Sequence, residues 1–212
     1  RIDYSNDTTQ SMRGNLSATK YGVMGAGNKD FGWCAGGSPG VSTVERIDYS
    51  SDTTDPLTRG PLDAAMMQDG STGNASFGYF APGPAGQPNK QALTRIDYSN
   101  DTATAVDKGP LSSSRYGVGA TGTEDFGYAG TGRTPSPGPV TTVDRITYAN
   151  DTATATPKGP LTVARRRLAA NGSRSFGYFC GGGTPSIIST VDRIDYSSDT
   201  AVALVRGALS VA

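Results

Sequence analysis

Residues 95–102 read RIDYSNDT, and nearly the same eight residues occur at four other places in the chain. The other copies begin at Arg1, Arg46, Arg145 and Arg193, so successive copies start 45 to 50 residues apart. Self-similarity at a fixed period is typical of an array of identical supersecondary units. The spacing predicts a single repeat array over 1–212, with units at 1–45, 46–94, 95–144, 145–192 and a partial unit at 193–212.

Unit four shows the internal pattern of the repeat. Alternating side chains and turn residues predict four short strands, at 144–148, 152–156, 163–169 and 175–183. In the first of these strands, Ile146 and Tyr148 share one face while Arg145 and Thr147 share the other. An Asn-Gly-Ser sequence at 171–173 predicts the tight turn before the last strand. A period near 50 residues without helical periodicity indicates β-propeller blades, with almost no helix.

The order of motifs also carries a family resemblance. The motifs that carry it are, in order, a glycine doublet, a loop, V-D-R-I-D-Y, a short return strand, G-P-L and an aromatic-Gly strand. Together they resemble the kelch repeat of β-propellers, and the resemblance covers essentially the whole chain. The glycine doublet is present at 36–37 and 181–183, but other residues replace it at 81–83 and 130–132. The tryptophan that kelch repeats carry in their fourth strand is absent from that place in every unit. The resemblance implies an all-β, kelch-like propeller of four-stranded antiparallel blades, about four and a half of them in this chain.

The kelch order also implies that the chain opens on a third strand, which leaves four complete blades and an orphan strand pair. We expect that another chain completes the pair, or that the chain is part of a longer repeat protein; its start at a repeat boundary favours the second. The sequence RIDYSNDTATA at 95–105, together with KGPLS at 108–112, is similar to repeats in structural proteins of marine viruses, particularly cyanophage tail or virion-surface proteins. This similarity implies a location at a virion surface or outside the cell.

The charge and hydropathy of the chain argue against two classes of partner, nucleic acid and the membrane interior. The 19 basic and 19 acidic residues cancel, which argues against nucleic acid as a partner. The one basic run, at 165–167, alternates between the two faces of a strand, so we expect structural pairing with aspartate there. No apolar stretch approaches membrane-spanning length, so we expect no membrane insertion.

The chain has no histidine, which removes the commonest general base and the commonest transition-metal ligand. Glycoside hydrolysis by two carboxylates remains chemically open, but the acidic residues mostly sit at repeated positions. We therefore expect no enzyme, no cofactor and no metal site. Cys34 and Cys180 are too few for a disulfide framework, and we expect two buried free thiols.

Arginine and aspartate recur two residues apart on one strand face. The pairs are Arg1 with Asp3, Arg46 with Asp48, Arg95 with Asp97, and Arg193 with Asp195. We expect these structural repeat pairs to place each arginine against a carboxylate of the neighbouring blade. The alternative is a ring of carboxylates binding Ca²⁺, but Thr147 replaces the aspartate in unit four, where a required ligand would have to be kept.

Six Asn-x-Ser/Thr sequences are candidate glycosylation sites: Asn6, Asn15, Asn74, Asn100, Asn150 and Asn171. The alternative is that Asn-Asp-Thr simply forms a good turn, because units two and five have Ser51 and Ser198 at the same place. The sequence leaves both open.

Rigid repeats with loops of unequal length favour a binding surface over a catalytic one. The longest loops are predicted at 38–43, 82–92 and 131–141. Five aromatic residues of the repeated FGY motif would stack on sugars if exposed, but core packing is the favoured role: Phe31, Trp33, Tyr79, Tyr128 and Tyr178. We expect a non-catalytic structural or adhesive module of a virion appendage or extracellular fibre, whose partners are other subunits of the assembly. The alternative is a glycan- or protein-binding, lectin-like propeller of a secreted protein.

Overall fold

Every repeat folds into short antiparallel strands around a common axis. The computed structural model describes residues 2–3, 6–10, 12–82, 91–183 and 185–210, with backbone alone for 2–3 and 6–10. These residues form four four-stranded antiparallel sheets and one two-stranded hairpin, eighteen strands in all. The chain is a four-bladed β-propeller, and the predicted all-β architecture with its extra strand pair is confirmed.

The hairpin consists of β1 (Ile2–Asp3) and β2 (Asn6–Gln10). The first blade contains β3 (Met24–Gly27), β4 (Phe31–Ala35), β5 (Val44–Asp48) and β6 (Leu57–Arg59). The second contains β7 (Ser71–Gly73), β8 (Phe77–Phe80), β9 (Ala92–Asp97) and β10 (Val106–Pro110). The third contains β11 (Gly119–Gly122), β12 (Phe126–Gly130), β13 (Val143–Thr147) and β14 (Thr156–Lys158). The fourth contains β15 (Ala169–Gly172), β16 (Phe176–Cys180), β17 (Val191–Asp195) and β18 (Leu204–Arg206).

Within each blade the strands pair in chain order, and the first strands of successive blades lie side by side, β3 with β7, β7 with β11 and β11 with β15. The register places the aromatic residue of the second strand opposite the arginine of the third, as Tyr128 opposite Arg145. Residues opposite each other on paired strands point to the same face of the sheet. Each blade therefore presents an aromatic ring and a guanidinium side by side.

Two predicted strands of unit four are wrong in their bounds. Residues 152–155 form a turn and β14 begins only at Thr156, because Tyr148–Asn150 form a 3-10 turn whose last carbonyl accepts from Ala153 N (3.2 Å). The predicted strand at 163–169 is irregular up to Ala169. Its Arg165 side chain is fully buried and Arg167 has a φ of 57°, which a regular strand does not allow.

The apolar cores lie between blades rather than within them. In β8, Tyr79 packs into the cluster shared with the third blade, and the next residue, Phe80, packs into the cluster shared with the first. Successive side chains of a strand point to opposite faces, so one short strand supplies both cores. This arrangement explains how a chain with only 35% hydrophobic residues buries an apolar core at each junction.

The tyrosines of three of the repeated phrases stack on the aromatic residue of the preceding blade. The pairs are Trp33 with Tyr98 (3.9 Å between ring centroids), Tyr79 with Tyr148 (4.8 Å) and Tyr128 with Tyr196 (4.8 Å). Trp33, Tyr79 and Tyr128 are at most 1% exposed, so core packing is confirmed for these three. Phe31 and Tyr178 are half-buried.

Candidate functional site

The aspartates of the last three NDT or SDT turns, Asp101, Asp151 and Asp199, are each bound by the blade before them. Asp151 accepts hydrogen bonds from the Arg95 guanidinium (2.7 Å) and the Tyr79 hydroxyl (2.9 Å), and Lys108 Nζ lies 3.3 Å from its other oxygen. Burial and the bond to Asp151 raise the pKa of Tyr79, which keeps its hydroxyl protonated as a donor. We call this arrangement the aspartate clamp.

The clamp recurs at the other two junctions between blades. Asp101 is bound by Trp33 Nε1 (2.9 Å), Arg46 (3.1 Å) and Arg59 (3.4 Å), and Asp199 by Arg145 (2.9 Å), Tyr128 (3.0 Å) and Lys158 (3.2 Å). Burial alone would raise the pKa of Asp199, but hydrogen bonds from Lys158 and Tyr128 outweigh it and lower that pKa. Each clamp therefore holds a carboxylate anion between two cations.

The arginine of each clamp contacts the aspartate of the next blade and not the aspartate two residues after it in its own strand. Asp48, Asp97 and Asp195 each accept from a backbone N–H two residues later (2.9 Å) and cap a 3-10 turn. Hydrogen bonds from the Ser50 and Ser197 side chains lower the pKa of Asp48 and Asp195. Thr147, at the same place in unit four, makes no side-chain cap. Arg1 lies outside the described residues, and of Asp3 only the backbone is described.

The clamp aspartates were missed by sequence reasoning, although the sequence contains a signal for them. Asp7, Asp52, Asp101, Asp151 and Asp199 occupy the same place in all five units. Unit four keeps this aspartate while it replaces the aspartate of RIDY by Thr147. The invariant member of the repeat is therefore the one that joins blades.

At each clamp, a glycine allows two backbone segments, one from each blade, to come close together. Gly109 N donates to the Asp151 carbonyl (2.6 Å), and a Cβ at Gly109 would lie 1.9 Å from the Ala153 carbonyl oxygen. Gly109→Ala is expected to lower the free energy of unfolding by about 1–3 kcal/mol, because backbone must move to admit the methyl group. Urea denaturation measures this loss. Gly207→Ala is the matched control, since a Cβ there meets nothing within 4 Å; equal losses in the two variants would contradict the prediction.

Two ion pairs inside single blades are fully buried. Arg115 pairs with Asp144 (2.8 Å) and Arg165 with Asp192 (2.7 Å), and all four side chains are 0% exposed. Burial lowers the pKa of Arg115, and the adjacent Asp144 opposes that shift. The aspartate partner expected for the basic run 165–167 is therefore Asp192, which contacts its first arginine.

The turns between the first and second strands of all four blades surround one cavity of about 920 Å³. We call it the four-turn cavity; its lining comes from 27–30, 73–75, 122–125 and 172–174. In the first turn, the Asn28 side chain accepts from the N–H groups of Asp30 (2.9 Å) and Phe31 (3.0 Å), and Asn74, Thr123 and Ser173 repeat this geometry. Its exposed charged side chains are Lys29, Asp30, Glu124, Asp125 and Arg174.

Asp69 is a buried carboxylate at the edge of β7. One oxygen accepts from Gly117 N (2.6 Å), and the other is buried without a hydrogen-bond partner. Burial raises the pKa of Asp69 well above its ordinary value. The folded state therefore favours the protonated carboxyl.

The pH dependence of stability tests the state of Asp69. A raised pKa in the folded state contributes stability below the unfolded pKa that is lost as pH rises through the folded pKa. Asp69→Asn is therefore expected to be more stable than wild type at neutral pH, with the difference vanishing in acid. Thermal melts of both proteins across pH measure the difference. A gap that stays constant with pH would show that Asp69 titrates alike in both states.

The candidate glycosylation sites are mostly on the surface. Asn15, Asn100, Asn150 and Asn171 are exposed, and Asn74 is half-buried at the four-turn cavity. The Asn6 side chain lies outside what is described. Asn150 Oδ1 also accepts from the Thr152 hydroxyl (3.4 Å), a contact within its own turn.

The remaining reactive groups are the two cysteines and the acidic side chains. Cys34 and Cys180 are free and half-buried, and burial raises the pKa of both thiols. Across the described residues, no three Cys, Asp or Glu side chains come together as ligands for a metal ion. In that same part of the chain, no helix has the length and apolar character needed to cross a membrane.

Comparisons with known proteins give no family assignment. The chain matches no protein-family model and no curated protein. A β-propeller is consistent with a protein-binding or structural module.

Proposed function

We propose that the chain is a non-catalytic structural or adhesive module of a virion appendage or extracellular fibre, with other subunits of the assembly as its partners. The observation that carries the proposal is the aspartate clamp, which joins one blade to the next three times with the same chemistry. Stacked rings at the three junctions between blades fix the blades relative to one another, and buried ion pairs stabilise single blades. Such a support is rigid and presents its loops as contact surface.

The charged residues supply a second argument. Asp101, Asp151 and Asp199 are bound in clamps, and Arg115 and Arg165 are bound in buried pairs, so these charged groups serve structure rather than a reaction. The resemblance of 95–105 and 108–112 to repeats of cyanophage tail and virion-surface proteins supports the location. The zero net charge offers no electrostatic basis for binding nucleic acid.

Labelling the native source material tests the location. Antibodies raised against the 212-residue chain are applied to thin sections and to purified particles, and gold label is located by electron microscopy. Label on virion appendages or extracellular filaments is the expected result. Label confined to the cell interior would reject the proposed location.

A second candidate function is glycan or protein binding at the four-turn cavity. The cavity is bordered by exposed cations and carboxylates from different blades, including Lys29, Glu124 and Arg174. Trp33, Tyr79 and Tyr128 are buried, so a sugar there would be held by polar groups rather than by these rings.

Binding to a glycan array tests this second function. The double variant Lys29→Ala/Arg174→Ala is expected to lose binding to acidic glycans by about tenfold or more, because it removes both cations of the cavity rim. Arg133→Ala, outside the cavity lining, is the control. Equal binding by wild type and the double variant would exclude the cavity as the site.

A further inference from the structure

A smaller cavity lies where the first strands of the last three blades begin. Its volume is about 230 Å³, and five residues line it: Gln68, Asp69, Val118, Arg167 and Leu168. Asp69 precedes β7, Val118 precedes β11 and Leu168 precedes β15. The four-turn cavity lies at the other end of these strands, so the two cavities are separate. We call the smaller one the Asp69 pocket.

Asp69 departs from the repeat at this place. The equivalent residues of the other units are apolar: Val23, Val118 and Leu168. Backbone hydrogen bonds join neighbouring blades here, as Gln68 N donates to the Gly22 carbonyl (2.8 Å). Arg167 N donates in the same way to the Gly117 carbonyl (2.7 Å). Between the second and third blades, Gly117 N instead donates to the Asp69 carboxylate (2.6 Å).

The charge of Asp69 is a cost to the folded chain. Its second oxygen, Oδ2, is buried without a hydrogen-bond partner, and burial raises the pKa of this carboxyl. An asparagine side chain would accept the hydrogen bond from Gly117 equally well and would bury no charge. A costly carboxylate that the fold does not require, placed in a cavity, is typical of a binding site.

Two residues of the same pocket have a strained backbone. Gln68 (φ 61°) and Arg167 (φ 57°) are left-handed at a place where units one and three have glycine. In the part of the chain that the structure describes, Thr131 is the one other non-glycine residue with a positive φ. This conformation costs free energy in a residue with a Cβ, and such strain is concentrated at functional sites. The strain therefore favours a role for both side chains in the pocket.

The charges and the apolar lining of the pocket define the chemistry of its ligand. The buried Asp69 oxygen fits a donor that carries positive charge, such as a primary ammonium group. Arg167 is exposed, and no described carboxylate pairs with it, so its guanidinium can bind an anion at the rim. An exposed side chain also changes rotamer readily, which can open the way to the buried oxygen. Val118 and Leu168 add apolar surface.

We propose that the Asp69 pocket binds a free α-amino acid with a small apolar side chain. The ammonium group of the ligand binds Asp69, its carboxylate binds Arg167, and its side chain packs against Val118 and Leu168. The volume of about 230 Å³ suits a ligand smaller than a drug-sized molecule. The ammonium group supplies the counter-charge that the buried carboxylate lacks. The proposal requires neither the location nor the glycan ligand proposed above.

Isothermal titration calorimetry tests the class of ligand. The 212-residue chain is titrated with L-valine, with L-valinamide, which lacks the carboxylate, and with 3-methylbutanoate, which lacks the ammonium group. Valine is expected to bind about tenfold or more tightly than either of the other compounds, because it alone makes both charged contacts. Absence of valine binding at millimolar concentrations overturns the proposal, and so does equal binding of all the compounds.

Two variants assign the contacts to their residues. Asp69→Asn is expected to weaken valine binding about tenfold or more, and it keeps the fold because it removes a buried charge. Arg167→Gln is expected to bind valine and valinamide alike, because it removes the group that distinguishes them. Arg174→Gln, at the four-turn cavity, is the control and is expected to bind valine like wild type. Unchanged valine binding by Asp69→Asn overturns the proposal, as does a preference for valine over valinamide that survives in Arg167→Gln.

Discussion

Asp192→Ala is expected to lower the free energy of unfolding by about 3–5 kcal/mol, the largest effect of any single substitution considered for this chain. Asp192 and Arg165 are both 0% exposed and lie 2.7 Å apart. Removal of the carboxylate leaves the guanidinium buried without a counter-charge, with only the carbonyls of Phe179 and Val163 as partners. Urea denaturation monitored by tyrosine and tryptophan fluorescence measures the change.

The double variant Arg165→Met/Asp192→Val separates the charge effect from the packing effect. It removes both charges, so it is expected to be more stable than Asp192→Ala alone. Asp125→Ala, at an exposed turn position, is the control and is expected to change stability by less than about 0.5 kcal/mol. If the double variant were less stable than the single one, an unpaired buried charge would not be the cause of the loss.

Asp151→Asn is expected to cost about 2–3 kcal/mol, because it removes the anion between Arg95 and Lys108 at the centre of the array. The loss is smaller than for Asp192 since the Arg95 side chain is 20% exposed and solvent screens part of its charge. Chemical denaturation of the variant beside Asp125→Asn measures it. A loss no larger than that of the control would mean that the clamp does not hold the blades together.

Strand number and blade architecture follow from the sequence because they depend on local patterns. The recurrence of RIDYSNDT and the alternation in strands such as β13 are both visible within a few residues, whereas the turn predicted at 171–173 is displaced, because Asn171 and Gly172 belong to β15. The strand predicted at 152–156 starts too early, because the 3-10 turn at Tyr148–Asn150 is extended by Ala153 N, which donates to the Asn150 carbonyl, and β14 begins only at Thr156. Turn closure depends on hydrogen bonds that a strand pattern does not reveal.

The aspartate clamp could not be predicted from strand alternation, for a different reason. Arg95 and Asp97 lie two residues apart and therefore on the same face of one strand, so the sequence pattern predicted that they belong together. The carboxylate of Asp97 is instead committed to the N–H of Ser99, and Arg95 reaches Asp151 in the next blade. Contacts between blades depend on blade packing, and alternation within one strand does not specify it.

A double-mutant cycle on Arg95 tests the central claim, that each blade is joined to the next through the aspartate of the NDT or SDT turn. The free energy of unfolding is measured for Arg95→Gln, Asp151→Asn, Asp97→Asn and the two double variants that contain Arg95→Gln. The account predicts a coupling energy of about 1–3 kcal/mol between Arg95 and Asp151, and about zero between Arg95 and Asp97. A coupling confined to Arg95 and Asp97 would contradict it.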